Sequence, residues 1–266
     1  MSRTITHTEA GPVDLVLSAD IATVVVQASE ECTTASVHVD SAVADGAEAA
    51  RLIEATTAES RGRTFAVTVP RSQGASGTTI VRNGGSVIMS AGTITGDVTG
   101  LVIGGDHHGV TIVNGQVVTG SGTFTTGGRL RIIATVPAGS TLTVKGTAPD
   151  VTTRGQLNQV KAETTSGDLT VGTADQVDLR TMSGDVRVGA SGHVRAKTMS
   201  GDVTLDQLDG TAHVKTMSGD IRVAAVAKST VTAESMSGDI TLDAPRGIEI
   251  DAKTRTMSGR TSNRRS

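Results

Sequence analysis

Five aspartates recur at a nearly fixed interval: Asp168, Asp185, Asp202, Asp220 and Asp239, each directly after a glycine. Carboxylates spaced in this way could hold a line of divalent cations if the chain stacked them coil upon coil. Calcium-loaded β-rolls use Gly-Gly-x-Gly-x-Asp nonapeptides for that purpose, and this spacing is missing here. Stacked one coil apart, neighbouring carboxylates repel by about 1 kcal/mol per pair at water's dielectric. Hydrogen bonds from backbone N–H groups within each turn are the expected relief. The column therefore reads as structural, with ion binding as its alternative.

Other reactive residue types are sparse. Asp106-His107-His108 is the one histidine cluster, but adjacent strand residues face opposite sides, so the pair needs a turn to share a metal. His193 and His213 fall at different positions of the repeat. Cys32 is the single cysteine, so no internal disulfide forms and the fold does not depend on an oxidising compartment. The chain carries no G-x-S-x-G, P-loop, H-E-x-x-H or C-x-x-C motif. No catalytic residue, metal or cofactor is expected.

The elements that would position these residues follow from an internal repeat. Thr164-Thr-Ser-Gly-Asp-Leu169 returns as Thr181-Met-Ser-Gly-Asp-Val186, Thr198-Met-Ser-Gly-Asp-Val203, Thr216-Met-Ser-Gly-Asp-Ile221 and Ser235-Met-Ser-Gly-Asp-Ile240. Thr256-Met-Ser-Gly-Arg-Thr261 ends the series, with Arg260 in the aspartate column. The period runs from 17 to 21 residues, read between Gly167, Gly184, Gly201, Gly219, Gly238 and Gly259. Apolar residues alternate on both sides of each glycine, as in Val194/Ala196 before Gly201 and Val203/Leu205 after it. Alternation of this kind means strands with one buried face. Two strands per cassette cannot close a core alone, but stacking cassettes about 4.8 Å apart does. The spacing predicts an all-β fold, a parallel β-solenoid with coils of about 17–19 residues.

Continuing the alternation puts Thr198 and Ser200 inward and Lys197 and Met199 outward, with Gly201 at the corner. An earlier corner would turn the methionines inward instead. The outward column Glu163, Arg180, Lys197, Lys215, Glu234, Arg255 mixes signs. Beside it, Met182, Met199, Met217 and Met236, with Arg180, Lys197 and Lys215, form a candidate contact face of adaptable thioethers and cations. A solvated wall is the plain alternative.

The repeated T-M-S-G-D-[VI] cassette, with Arg131-Ile-Ile-Ala-Thr-Val-Pro137-Ala-Gly-Ser-Thr-Leu-Thr-Val144 leading into it, resembles a bacterial β-strand-repeat family of adhesin-like proteins. The resemblance is strong over residues 130–260 and loose before them. It implies a parallel β-solenoid without an established catalytic site.

Ahead of the repeats, residues 1–70 read as a β segment with one helix. Its strands are Pro12–Leu17, Ile21–Gln27, Thr34–Asp40 and Thr64–Val69. The helix spans about Ala47–Thr56, with a capping-box-like start at Asp45 and Glu48 and a face of Ala49, Leu52, Ile53 and Thr56. Residues 79–129 read as a Gly-rich continuation of the solenoid with tighter coils, or a small sheet. Residues 261–266 read as a basic, solvated tail or end cap, with contact to an acidic partner as the alternative.

Composition narrows the function. The chain of 266 residues has no Trp, no Tyr and two Phe, with a net charge of −3. That leaves no aromatic platforms for stacking sugars or bases and no basic footprint for nucleic acid. Neither glycan nor nucleic acid is expected as a partner. No apolar run approaches a membrane span, and the N-terminus shows no secretory leader, so a cytoplasmic location is expected. The leading expectation is a non-catalytic structural or interaction protein, an adhesin-like solenoid presenting a repetitive surface to a protein partner or another copy. A self-assembling scaffold like the bactofilins is the second reading. A polysaccharide-acting β-helix enzyme or calcium-binding module is the third.

Overall fold

A computed structural model of the chain describes residues 2–41, 47–71, 79–83, 86–90, 101–103, 110–113, 116–119 and 130–265. Met1–Arg71 and Arg129–Ser266 form one compact unit and Ser72–Gly128 another. The first unit begins with β1 (Ser2–Ala10), β2 (Asp14–Ser18), β3 (Ile21–Ser29), β4 (Thr34–Ser41), α1 (Ala47–Glu54), β5 (Thr57–Arg61) and β6 (Thr64–Thr68). The second unit holds β7 (Thr79–Asn83), β8 (Ser86–Ser90), β9 (Leu101–Ile103), β10 (Val110–Val113) and β11 (Gln116–Thr119). Its described strands pair antiparallel with near neighbours in sequence, β7 with β8 and β10 with β9 and β11, rather than parallel from coil to coil.

The regular repeats form the rest of the first unit. They comprise β12 (Leu130–Pro137), β13 (Thr141–Gly146), β14 (Ala148–Arg154), β15 (Gln156–Thr164), β16 (Leu169–Arg180), β17 (Val186–Lys197) and β18 (Val203–Lys215). After them come β19 (Ile221–Ala225), β20 (Ser229–Ser237), β21 (Ile240–Ala244), β22 (Ile250–Ser258) and β23 (Thr261–Arg265). Neighbouring copies pair in parallel, and the molecule is the β-solenoid that the period predicts.

Two walls result. In the first, the later half of β16 pairs with β15 and with β17, as in Val160↔Val177↔Val194. In the second, the earlier halves stack as Leu169↔Val186↔Val203↔Ile221↔Ile240. β16, β17 and β18 each turn a corner midway and serve both walls. The predicted inward pairs are buried, Val194/Ala196 and Val203/Leu205 among them. The corner adds an inward column that alternation alone does not show, Leu157, Ala174, Ser191, Leu208 and Ala225, all buried. Each coil thus fills its interior with small and branched side chains, which is why aromatics are not needed.

The N-terminal segment, residues 2–71, joins the same solenoid out of chain order. β2 lies between β6 and β13, and β3 lies between β12 and β14, all parallel. Residues 64–68 and 130–137 therefore flank the β2/β3 layer on the side away from β13 and β14, although the second unit separates them in sequence. Beyond that layer the pairing turns antiparallel: β4 joins β12, β1 joins β4, and β5 joins β6. β1 and β5 meet through His7 Nδ1 and Ser60 Oγ, 3.1 Å apart. The helix lays Ala49 and Ile53 into the core beside this end, where Phe65 is fully buried. Asp45 lies outside the described residues.

The segment read as a basic tail is a strand. Residues 261–265 form β23, parallel to β21 with Thr261 opposite Ile240 and Asn263 opposite Leu242. Backbone pairing to β21 outweighs the arginine content, with Thr261 and Asn263 at the register positions that earlier coils fill with Val, Ile or Leu. Thr261 and Asn263 are exposed where earlier coils bury Val, Ile or Leu.

Candidate interaction surface

The T-M-S-G-D corner is built from three ladders. Innermost is the threonine column: Thr181, Thr198, Thr216 and Ser235 are buried. Thr181 Oγ1 donates to the carbonyl of Ser183 at 3.0 Å, and Thr198 Oγ1 to that of Ser200 at 3.1 Å. Thr216 Oγ1 is buried with no hydrogen-bond partner among the described residues. The chain then leaves the wall earlier than the strict alternation implies. Ser183, Ser200, Ser218 and Ser237 are exposed, not inward. Their backbones still pair coil to coil, with Ser183↔Ser200 and Ser200↔Ser218 as single parallel bridges. The corner starts at the methionine, so both Met and Ser point out.

The glycine makes the corner possible. Gly201 has φ +134°, a region that side chains disfavour, and a Cβ there would run into the carbonyl oxygen of Gly184 in the coil below. The aspartate follows with its side chain along the axis. Oδ1 of Asp168 accepts the N–H of Asp185 at 3.0 Å, Asp185 that of Asp202 at 2.9 Å, and Asp202 that of Asp220 at 2.8 Å. Asp220 and Asp239 do the same for Asp239 and Arg260, both at 2.7 Å. The relief of carboxylate repulsion thus comes from the next coil rather than from the aspartate's own turn. An intervening N–H dipole points at each carboxylate. Among the described residues, no cluster of three or more His, Cys, Asp or Glu is placed to hold a metal ion.

The methionines stand beside this ladder. Met182, Met199, Met217, Met236 and Met257 are 50, 42, 43, 47 and 72% exposed. One inward residue away, register aligns Glu163↔Arg180↔Lys197↔Lys215↔Glu234↔Arg255 into a single outward column. Within it, Arg180 pairs with Glu163 at 3.7 Å and Lys215 with Glu234 at 3.0 Å. The Lys215 ammonium, hydrogen-bonded to Glu234 and attracting it by charge, holds that carboxyl below its usual range.

Two further outward columns complete the first wall, and sequence reading passed over both. Gln159, Gln176, His193 and Thr211 align, as do Lys161, Asp178, Arg195 and His213. His193 Nδ1 and Thr211 Oγ1 are hydrogen-bonded at 2.7 Å. These columns form a shallow groove of about 440 Å³, joined along its edge by a second of about 360 Å³ lined by Arg180, Arg195, Lys197, His213 and Lys215. The signal was the polar residues between the inward pairs. It emerges only once the one-residue irregularity between β17 and β18 is placed, since that shift aligns His213 with Arg195. Asp106, His107 and His108 lie outside the described residues.

Parallel strands in register, a thin aliphatic core and an exposed wall of repeated side chains define a β-solenoid repeat domain. The chain belongs to the Toastrack DUF4097 family, which matches residues 13–264 and so extends well ahead of the cassettes. Among solved structures, a "putative adhesin" from Bacteroides fragilis is 13% identical over 99% of this chain and 97% of that one, with a TM-score of 0.54. That is likeness of fold. A "putative cell adhesion protein" from Clostridium sporogenes is 8% identical over 100% of both chains, with a TM-score of 0.36. A "putative lipid binding protein" from Parabacteroides distasonis is 12% identical over 98% of this chain and 96% of that one, at 0.38. No curated protein matches the sequence.

Proposed function

We propose that this Toastrack domain is a non-catalytic, adhesin-like module that offers the first wall and its corner to a macromolecular partner. The methionine ladder carries the reading. Its members are large apolar side chains held about half exposed in one line. Contiguous apolar exposure marks contact sites more often than chance allows, and thioethers adapt to varied partners. Arg180, Lys197 and Lys215 beside them supply charge at the rim. The adhesin description of a structure sharing the fold supports the same direction.

An adhesin role places the domain where it meets other surfaces, so the expected cytoplasmic location is tested together with it. Protease shaving of intact cells, followed by fractionation, reads the location. Beads coated with the full chain read the binding: retention on bacterial or host cells supports the proposal. Beads that bind nothing, with the protein folded, reject it.

A bactofilin-like filament fits the structure less well. Stacking coil upon coil continues parallel pairing, whereas β1 and β5, beyond the β2/β3 layer, are joined antiparallel.

A further inference from the structure

Charge along the first wall is answered on either side of the Lys197 coil and left open within it. Glu163 serves Arg180, and Glu234 serves Lys215. Between them, Arg195 and Lys197 make no ion pair with any carboxylate among the described residues. Asp178, in register with Arg195, is instead turned to Arg180 Nε at 3.6 Å. Cations in a column repel one another as the aspartates do, yet no backbone device offsets it here. The smaller groove, about 360 Å³, opens directly over these groups.

We propose that this groove binds an acidic polysaccharide lying along the solenoid axis, with its anionic groups against the Arg180–Lys197–Lys215 column and Arg195. The inference rests on the contact-face reading above and names its partner class. Three observations favour this occupant. First, Arg180, Lys197 and Lys215 recur once per coil, about 4.8 Å apart, with Lys197 open and its two neighbours shared with Glu163 and Glu234. A hexose ring advances its chain by a similar distance, so a polymer with one charge per ring stays in step. An extended acidic peptide does not, because its side chains return to one face only about every 7 Å.

Second, the groove lining is cationic and polar, with buried Ala196 as its one apolar member. Such a lining suits carboxylate or sulfate groups, which arginine and lysine meet through charge-assisted hydrogen bonds. Third, the length is that of a short oligosaccharide: three coils span about 10 Å from first to last cation. The expectation against glycans came from the missing aromatic platforms. Ion pairing and bidentate arginine contacts to carboxylate or sulfate do not use such platforms.

The test measures binding of the full chain to fluorescent oligogalacturonate and dextran sulfate, with neutral dextran and poly-glutamate as comparisons. The expected result is binding to both acidic polysaccharides that weakens with salt, and none to neutral dextran. R195Q/K197Q should bind at least about tenfold more weakly with an unchanged melting curve. R222Q, on the outer side of the second wall, should bind normally. Absence of binding, equal binding by R195Q/K197Q, or tighter binding to poly-glutamate would overturn the assignment. Cell binding by the coated beads is measured in parallel. If the wild-type chain binds neither acidic polysaccharide while its beads still hold cells, the polysaccharide assignment fails and the contact-face reading stands.

Discussion

Oδ1 of Asp202 accepts the backbone N–H of Asp220, one coil on, at 2.8 Å. The same atom type repeats from Asp168 to Asp239, so a row of like charges becomes a row of inter-coil hydrogen bonds. The carboxylates are exposed to water, which screens their mutual repulsion further. D202A should lower stability by about 1 kcal/mol, because it removes one charge-assisted bond at an exposed site. D202N keeps an acceptor oxygen and should cost less. Urea denaturation of the two variants checks the order, and millimolar calcium should leave the wild-type melting temperature unchanged.

The threonine ladder gives a sharper contrast. Thr198 Oγ1 donates to Ser200, whereas Thr216 Oγ1 is buried without a partner. T198V should destabilise by about 1 kcal/mol through its lost hydrogen bond, while T216V should be neutral or stabilising because it removes an unsatisfied polar atom. Paired thermal melts of the two valine variants measure the difference.

Gly201 is irreplaceable on two grounds, its positive φ and the approach of the Gly184 carbonyl. G201A should cost about 3 kcal/mol, at the upper end for a single methyl group. A glycine with nothing near it, Gly247, has positive φ but open space. G247A should therefore cost less, and comparing the two separates steric from conformational strain.

Lys215 sets the titration of Glu234 through a hydrogen bond and its charge. A carboxyl lowered in the folded state stabilises above its unfolded pKa, and loses that contribution as pH falls through the folded value. K215M should move the Glu234 pKa up toward the ordinary carboxylate range. A carbon-detected NMR titration of that side chain reads the change directly.

Much of the solenoid was legible because its period is carried by chemistry with one solution. Gly201 and its copies need positive φ, and pairs such as Val203/Leu205 need a dry face, so both recur at coil spacing. The methionines are exposed, as alternation had them, although the early corner was expected to turn them inward. The exposure of Ser200 did not follow, because the corner starts at Met199 and alternation holds only within a strand. The intercalation of β2 and β3 left no trace, since no cassette marks the N-terminal coils and pairing order is not local. β1 and β5 were missed for a related reason: Thr57-Ala-Glu-Ser-Arg61 is largely solvated on both faces and shows no alternation. The groove was hidden by its spacing. Arg195 and His213 meet only after the extra residue in the β18 coil is absorbed at the corner.

The central claim is that the exposed methionine ladder at the corner carries partner binding. Its most direct test compares beads coated with the wild-type chain and with M199S/M217S, counted for retained cells, after melting curves show both proteins equally folded. The account predicts that the serine variant loses most of the retention. Equal retention by both would contradict it.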